Sequence, residues 1–105
     1  MIFGERVREL RKEQRVSQRD LAGRAGIDFT YLSKIENGRA EPPSEDAIRR
    51  IAEELDTNAD SLILLADKFP SDIEQWLKTP ERVAVLRRSL SGDVNSMEDW
   101  RNAFG

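Results

Sequence analysis

The sequence predicts an all-α protein, with five short helices followed by a helical C-terminal segment. Three observations predict it. Apolar residues recur at intervals of three and four, the spacing of one helix face. Between these stripes stand helix-starting Ser, Asp and Asn and helix-stopping Gly. No stretch alternates as a strand does, and no internal repeat is present.

Phe3, Val7 and Leu10 form a stripe among Arg and Glu, which gives a first helix over residues 2–14. Ser17 is placed to cap a second, with Asp20 at N3 in a near-capping-box arrangement and Leu21, Ala22 and Ala25 on its inner side. Gly26 ends that helix. Asp28 caps a third, carrying Tyr31, Leu32 and Ile35 inward and stopping at Asn37-Gly38. Pro42-Pro43 forces an extended connection. Ser44 caps a fourth helix with Ile48, Ile51, Ala52 and Leu55, and Asn58 a fifth with Leu62, Leu65 and Ala66. We therefore expect a first domain over residues 1–68.

Residues 69–105 make a second part. Ile73, Trp76 and Leu77 share one helical side. Thr79-Pro80 reads as an N-cap followed by proline at N1, where a missing N–H costs little. Val83, Leu86 and Leu90 line the next helix, Ser91-Gly92-Asp93 reads as a loop, and Met97, Trp100 and Phe104 form a last short stripe capped by Ser96. Such short amphipathic helices cannot build a core alone. They must pack on the first domain or on another copy of the chain, and the self-sufficient look of the five-helix unit favours the copy.

Composition narrows the function. The chain lacks both cysteine and histidine, which removes a disulfide framework, the usual zinc ligand sets and the commonest general base. With no Gly-rich phosphate loop and no convergent carboxylates, neither an enzyme nor a cofactor or metal is expected. No apolar run is long enough for a membrane span, and the opening MIFGERVRELRK turns charged at once, so a cytoplasmic protein is expected. The net charge of −3 hides an asymmetry: residues 1–40 hold nine Lys/Arg against six Asp/Glu, and residues 41–105 hold eight against fourteen. A polyanion would be attracted by the first part and repelled by the second.

The third helix follows the second across Gly26-Ile27, a turn so short that the two must cross steeply, as in a helix-turn-helix. Its outer face carries Thr30, Ser33, Lys34 and Asn37 and no acidic side chain. Those groups suit base edges and phosphates, although an ordinary solvated face has the same composition.

SQRDLAGRAGIDFTYLSKIENGRAEPPSEDAIRRIAEELDT, with VRELRKEQRV before it, closely resembles the Cro/cI-type (XRE) helix-turn-helix family. The match runs over residues 3–66. Its most specific elements are LRK at 10–12, SQ at 17–18, LA at 21–22, AGI at 25–27 and YLSKIENG at 31–38. The resemblance implies a five-helix, lambda repressor-like DNA-binding domain followed by a helical dimerisation segment. It implies base reading by Phe29, Thr30, Ser33 and Lys34, and phosphate binding by Gln18, Asn37 and Arg39. Tyr31 fits a core-edge aromatic whose hydroxyl reaches a phosphate. Arg11 and Glu36 match a partly buried ion pair. Two positions depart from the family. Phe29 stands where phage repressors often have a glutamine that bonds the one matching Gln18, and Asp56 stands where many members have a helix-ending glycine.

The resemblance thus implies a sequence-specific repressor bound as a homodimer to double-stranded, pseudo-palindromic operator DNA. Ile73, Trp76, Leu77, Val83, Leu86, Leu90, Trp100 and Phe104 would carry the dimer contact. DFTYLSKIENG, the following PPSED and SLILLADKFPSDI further resemble short repressors of DNA-damage and anti-phage defence systems, some of which a partner zinc metallopeptidase inactivates by cutting that segment. Val83–Asn95 is the stretch expected to be cut. The alternative is an antitoxin-type protein whose C-terminal helices mask a toxin or peptidase while it represses its own operon.

Overall fold

A computed structural model of the chain describes residues 2–91. These residues are helical, with no strand among them. The helices are α1 (Ile2–Glu13), α2 (Gln18–Ala25), α3 (Phe29–Glu36), α4 (Glu45–Glu54), α5 (Ala59–Leu65), α6 (Ser71–Leu77) and α7 (Pro80–Ser91). The chain divides into two compact units, one running to Pro70 and one beginning at Ser71. Ser91 closes α7 where a loop was expected. The expected last helix, with Trp100 and Phe104, lies outside the described residues.

Each start in the first unit beyond α1 is set by one side-chain oxygen that accepts an otherwise orphaned backbone N–H. Ser17 accepts from Asp20, Asp28 from Tyr31, Ser44 from Ala47 and Asn58 from Ser61. The ends follow one rule as well. All five helices close with a residue in the left-handed region, flanked by a pair of returning backbone bonds. After α3, Gly38 N–H reaches the Ile35 carbonyl and Arg39 N–H the Lys34 carbonyl at 2.8 Å. The left-handed residues are Arg15, Gly26, Gly38, Asp56 and Asp67. Asp56, at φ 50°, therefore does the work of the family's glycine.

Three of these five positions are not glycine, and the strain is largest for Arg15, whose side chain offers no local compensation. A left-handed L-residue costs about 1–2 kcal/mol, while glycine adds about 0.4–1 kcal/mol of unfolded-chain entropy. Arg15→Gly is therefore expected to stabilise the unit by about 0.5–1 kcal/mol. A raised midpoint in thermal unfolding followed by circular dichroism checks it, and a lowered one refutes it.

The core of this unit joins α1 (Phe3, Val7, Leu10), α2 (Leu21, Ala22, Ala25), α3 (Leu32, Ile35), α4 (Ile48, Ile51, Ala52) with Leu55, and α5 (Leu62, Ile63) with Ala66. α1 packs on α3 and α5, α2 on α3 and α4, and α4 on α5. One expectation is corrected in α5. Ile63 is fully buried and Leu65 only partly, because the inward stripe is Ala59, Leu62, Ile63, Ala66. That set keeps the full i, i+3, i+4, i+7 spacing, which the 62–65–66 pattern does not.

In the second unit Thr79 Oγ1 accepts from Arg82 N–H at 3.3 Å and starts α7, with Pro80 at its first position. Arg82 lies over the Trp76 ring, 4.3 Å from its centroid, and also donates to the Trp76 carbonyl. α6 buries none of its residues. Ile73 and Trp76 are about two-fifths exposed, Val83 is exposed, Leu77 and Leu86 are half-buried, and Leu90 is 90 % exposed. The buried position of α7 is Val85, which the 83–86–90 stripe omits.

Candidate nucleic-acid interface

The turn between α2 and α3 is built from Gly26, Ile27 and the cap Asp28. Gly26 sits at φ 68° and its N–H returns to α2, as does that of Ile27 to the Ala22 carbonyl. Ile27 packs against the core. Arg50 of α4 donates from Nε to the Ala25 carbonyl at 2.8 Å, a cation on the negative end of α2. This clamp was invisible to the sequence reading, since 25 residues separate its ends. It ties the start of the turn to a third helix.

α3 carries two unlike faces. Leu32, Ile35 and Glu36 are buried, and Tyr31 packs against the core edge. Thr30, Lys34 and Asn37 are exposed and Ser33 is half-exposed. The exposed set carries donors and acceptors but no carboxylate, so nothing on it repels a polyanion. Asn37 is the C-cap of α3, and Arg39 follows the left-handed Gly38 into solvent beside it. Tyr31 has its single hydroxyl proton engaged: Oη donates to the Glu41 carbonyl at 3.0 Å, pinning the α3–α4 loop. To hold a phosphate it would have to exchange that bond, so its loop-pinning role is the one the geometry provides.

Beneath this face lies the charged group that holds it. Glu36 has a side chain only 1 % exposed, and Arg11 one 13 % exposed. Arg11 donates from Nε to Glu36 Oε2 and from Nη2 to Oε1, both at 3.0 Å, and from Nη1 to the Val16 carbonyl. Gln18 Nε2 gives Glu36 a third bond, also 3.0 Å. One carboxylate thus ties α1, the start of α2 and the end of α3, and no buried side-chain polar atom among the described residues lacks a partner. Gln18 spends one of its two amide hydrogens on Glu36.

Phe29 takes the first position of α3, half-buried against the core. The glutamine–glutamine buttress of phage repressors is absent, and the neighbour that meets the ring is Arg19, whose guanidinium carbon is 4.5 Å from its centroid. Sequence reading did not single out Arg19. No local pattern links residues ten apart across a turn, and only its placement as a cation in a helix's first turn hinted at a special role.

Among the described residues no group of acidic, histidine or cysteine side chains is arranged to hold a metal ion, and no helix is long and apolar enough to cross a membrane.

Comparison with known proteins agrees with this arrangement. The model of a helix-turn-helix domain matches residues 4–68. The chain is 34 % identical over 104 residues to the transcriptional repressor RghR of Bacillus subtilis, covering 94 % of this chain and 77 % of that protein. It is 33 % identical over 76 residues to the uncharacterized transcriptional regulator RghRB of the same organism, covering 70 % of this chain and 55 % of that one. It therefore spans little more than half of RghRB. In three dimensions it is similar to a chain of the solved SinR–SinI protein complex, with a TM-score of 0.55 at 27 % identity, covering 97 % of this chain and 89 % of that chain.

Proposed function

This chain belongs to the XRE-type helix-turn-helix family of DNA-binding transcriptional regulators, and from that premise we propose that it is a sequence-specific repressor acting on cytoplasmic DNA as a homodimer. α3 enters the major groove with its N-terminus towards base edges, and two copies, about 34 Å apart, read a pseudo-palindrome. The observation that carries this reading is the acid-free outer face of α3, held rigidly by the Gly26 turn below and the buried Glu36 behind.

Phe29, Thr30, Ser33 and Lys34 are the base-reading set, and Asn37, Arg39 and the remaining amide hydrogen of Gln18 hold backbone phosphate. At Phe29 a thymine methyl is the fitting contact, because the ring can offer apolar surface but no hydrogen bond. Lys34→Ala is expected to weaken operator binding by about 1–3 kcal/mol if the ammonium reads a base. If it meets phosphate, the loss is the same for any sequence and the salt slope falls by about one. Wild-type affinity in a mobility-shift titration would remove Lys34 from the interface. Selection of bound sequences from a random DNA pool tests the whole reading: it reports DNA binding, the half-site and the dimer spacing together.

The apolar surface of α6 and α7 supports the homodimer and, by the same chemistry, supports a second reading. An unlike protein, a toxin or a regulatory metallopeptidase, takes that surface or cuts it around Val83–Asn95 and so relieves repression in a stress or phage-defence response. The similar solved structure is itself a complex of two different proteins, which favours keeping this reading. A toxin or peptidase gene beside the gene for this chain supports it. Operator release that proceeds with no second protein present speaks against it.

A further inference from the structure

Arg19 occupies the second position of α2, where the partial positive charge of the helix end disfavours a cation. It is exposed, and among the described residues its guanidinium makes no hydrogen bond and no ion pair. Its one partner is the face of Phe29, 4.5 Å away. A stacked guanidinium uses its flat face for the ring and keeps its in-plane N–H donors for something else. Phe29 in turn is anchored against the core and opens α3. A planar fork of donors is thus held by a fixed ring beside the end of the helix that meets base edges.

We propose that Arg19 is a base-reading residue of this protein, oriented by Phe29 so that the stacked pair reads a thymine beside a guanine. The Phe29 ring meets the thymine methyl, and the Arg19 fork donates to guanine O6 and N7, the acceptor pair that matches it in the major groove. The inference rests on α3 being the recognition helix. A phosphate is the competing contact for an arginine at this place, but a phosphate requires only a positive charge. A guanidinium held over an anchored ring has a restricted position, and position matters to a bidentate base contact.

The test uses the full-length chain as wild type, Arg19→Lys, Arg19→Ala and Phe29→Leu. Each is put through selection from a random DNA pool, then titrated on the wild-type site and on that site with the guanine changed to adenine. Arg19 is exposed, so its variants are expected to melt as the wild type does, and for Phe29→Leu, which trims a half-buried ring, circular dichroism at the titration temperature shows that the chain is folded. For the wild type the base change is expected to weaken binding by about 5- to 150-fold. Arg19→Lys keeps the charge and is expected to lose that discrimination, and Phe29→Leu to blunt it while Arg19 is still present. An Arg19→Lys protein that selects the wild-type half-site unchanged overturns the inference. So does an Arg19→Ala protein weakened equally on all sequences with a shallower salt slope, which marks a phosphate contact. A wild-type chain that selects no motif overturns the recognition-helix reading and this inference with it, whereas a clear motif indifferent to Arg19 overturns this inference alone.

Discussion

Arg11→Ala is expected to destabilise the first unit by about 3–5 kcal/mol, because it leaves the Glu36 carboxylate buried without its cation. The side chain of Glu36 is 1 % exposed, so water cannot take over the two bonds that Arg11 gives it. Gln18 supplies one remaining hydrogen bond but no charge. Glu36 also stands in the last turn of α3, where the helix end carries partial negative charge and a carboxylate is unwelcome without a cation. The Val16 carbonyl loses its Arg11 donor in the same substitution, loosening the chain just before the Ser17 cap.

Small domains have about 5–15 kcal/mol to lose, so this variant sits near the folding limit at 37 °C. Urea unfolding followed by circular dichroism measures the loss. A companion variant separates the burial of a lone charge from the worth of the pair. Arg11→Met combined with Glu36→Leu removes both charges and keeps apolar volume, so it is expected to recover most of the stability. If the double variant is as unstable as Arg11→Ala, the pair itself, rather than the stranded carboxylate, carries the effect. Where Arg11→Ala is still folded, its base preference is expected to match the wild type, since Arg11 faces Glu36 and Val16 rather than the outer face of α3.

The unequal legibility of these features has a physical origin. Ser17, Asp28, Ser44, Asn58 and Thr79 each act on a backbone N–H three residues ahead, so their chemistry is contained in a few letters of sequence. The stops at Gly26 and Gly38 are legible for the same reason. Arg15 and Asp67 take the same left-handed conformation without a residue type that announces it. In α5 four consecutive apolar residues, Leu62 to Leu65, offer both a 62–65–66 stripe and the longer 59–62–63–66 stripe, and packing on α4 and α1 buries the longer one. In α7, likewise, the stripe Val83, Leu86, Leu90 passes over the buried Val85. The candidate site divides along the same line. The acid-free face of α3 follows from helical spacing, while Arg11 with Glu36, Arg50 with Ala25 and Arg19 with Phe29 join residues distant in the chain. Of these three, only the first had a family pattern to point it out.

On the proposed homodimer, replacing Ile73 and Val83 with arginine is expected to leave a monomer and to lower operator affinity by about 10²–10⁴-fold, the factor a second linked half-site contributes. Both side chains are exposed, as are Trp76 on α6 and Leu90 on α7, so the substitutions empty no core site. The buried apolar cluster of the first unit runs from Phe3 to Ala66 and is untouched. Its helices and the α3 face should therefore survive, and half-site binding should remain. Charge is the right probe for this surface. An arginine on the proposed apolar contact brings a charge into it with no partner to compensate it. Light scattering gives the mass, and a titration on one half-site and on the full operator gives the two affinities. The expected pattern is halved mass, an unchanged half-site constant and loss of the full-operator advantage. Deleting residues 69–105 should give the same pattern through a different lesion. If the truncated protein remained dimeric with normal operator affinity, the contact would have to lie in the first unit, where, among the described residues, Leu64 is the exposed large apolar side chain left to make it.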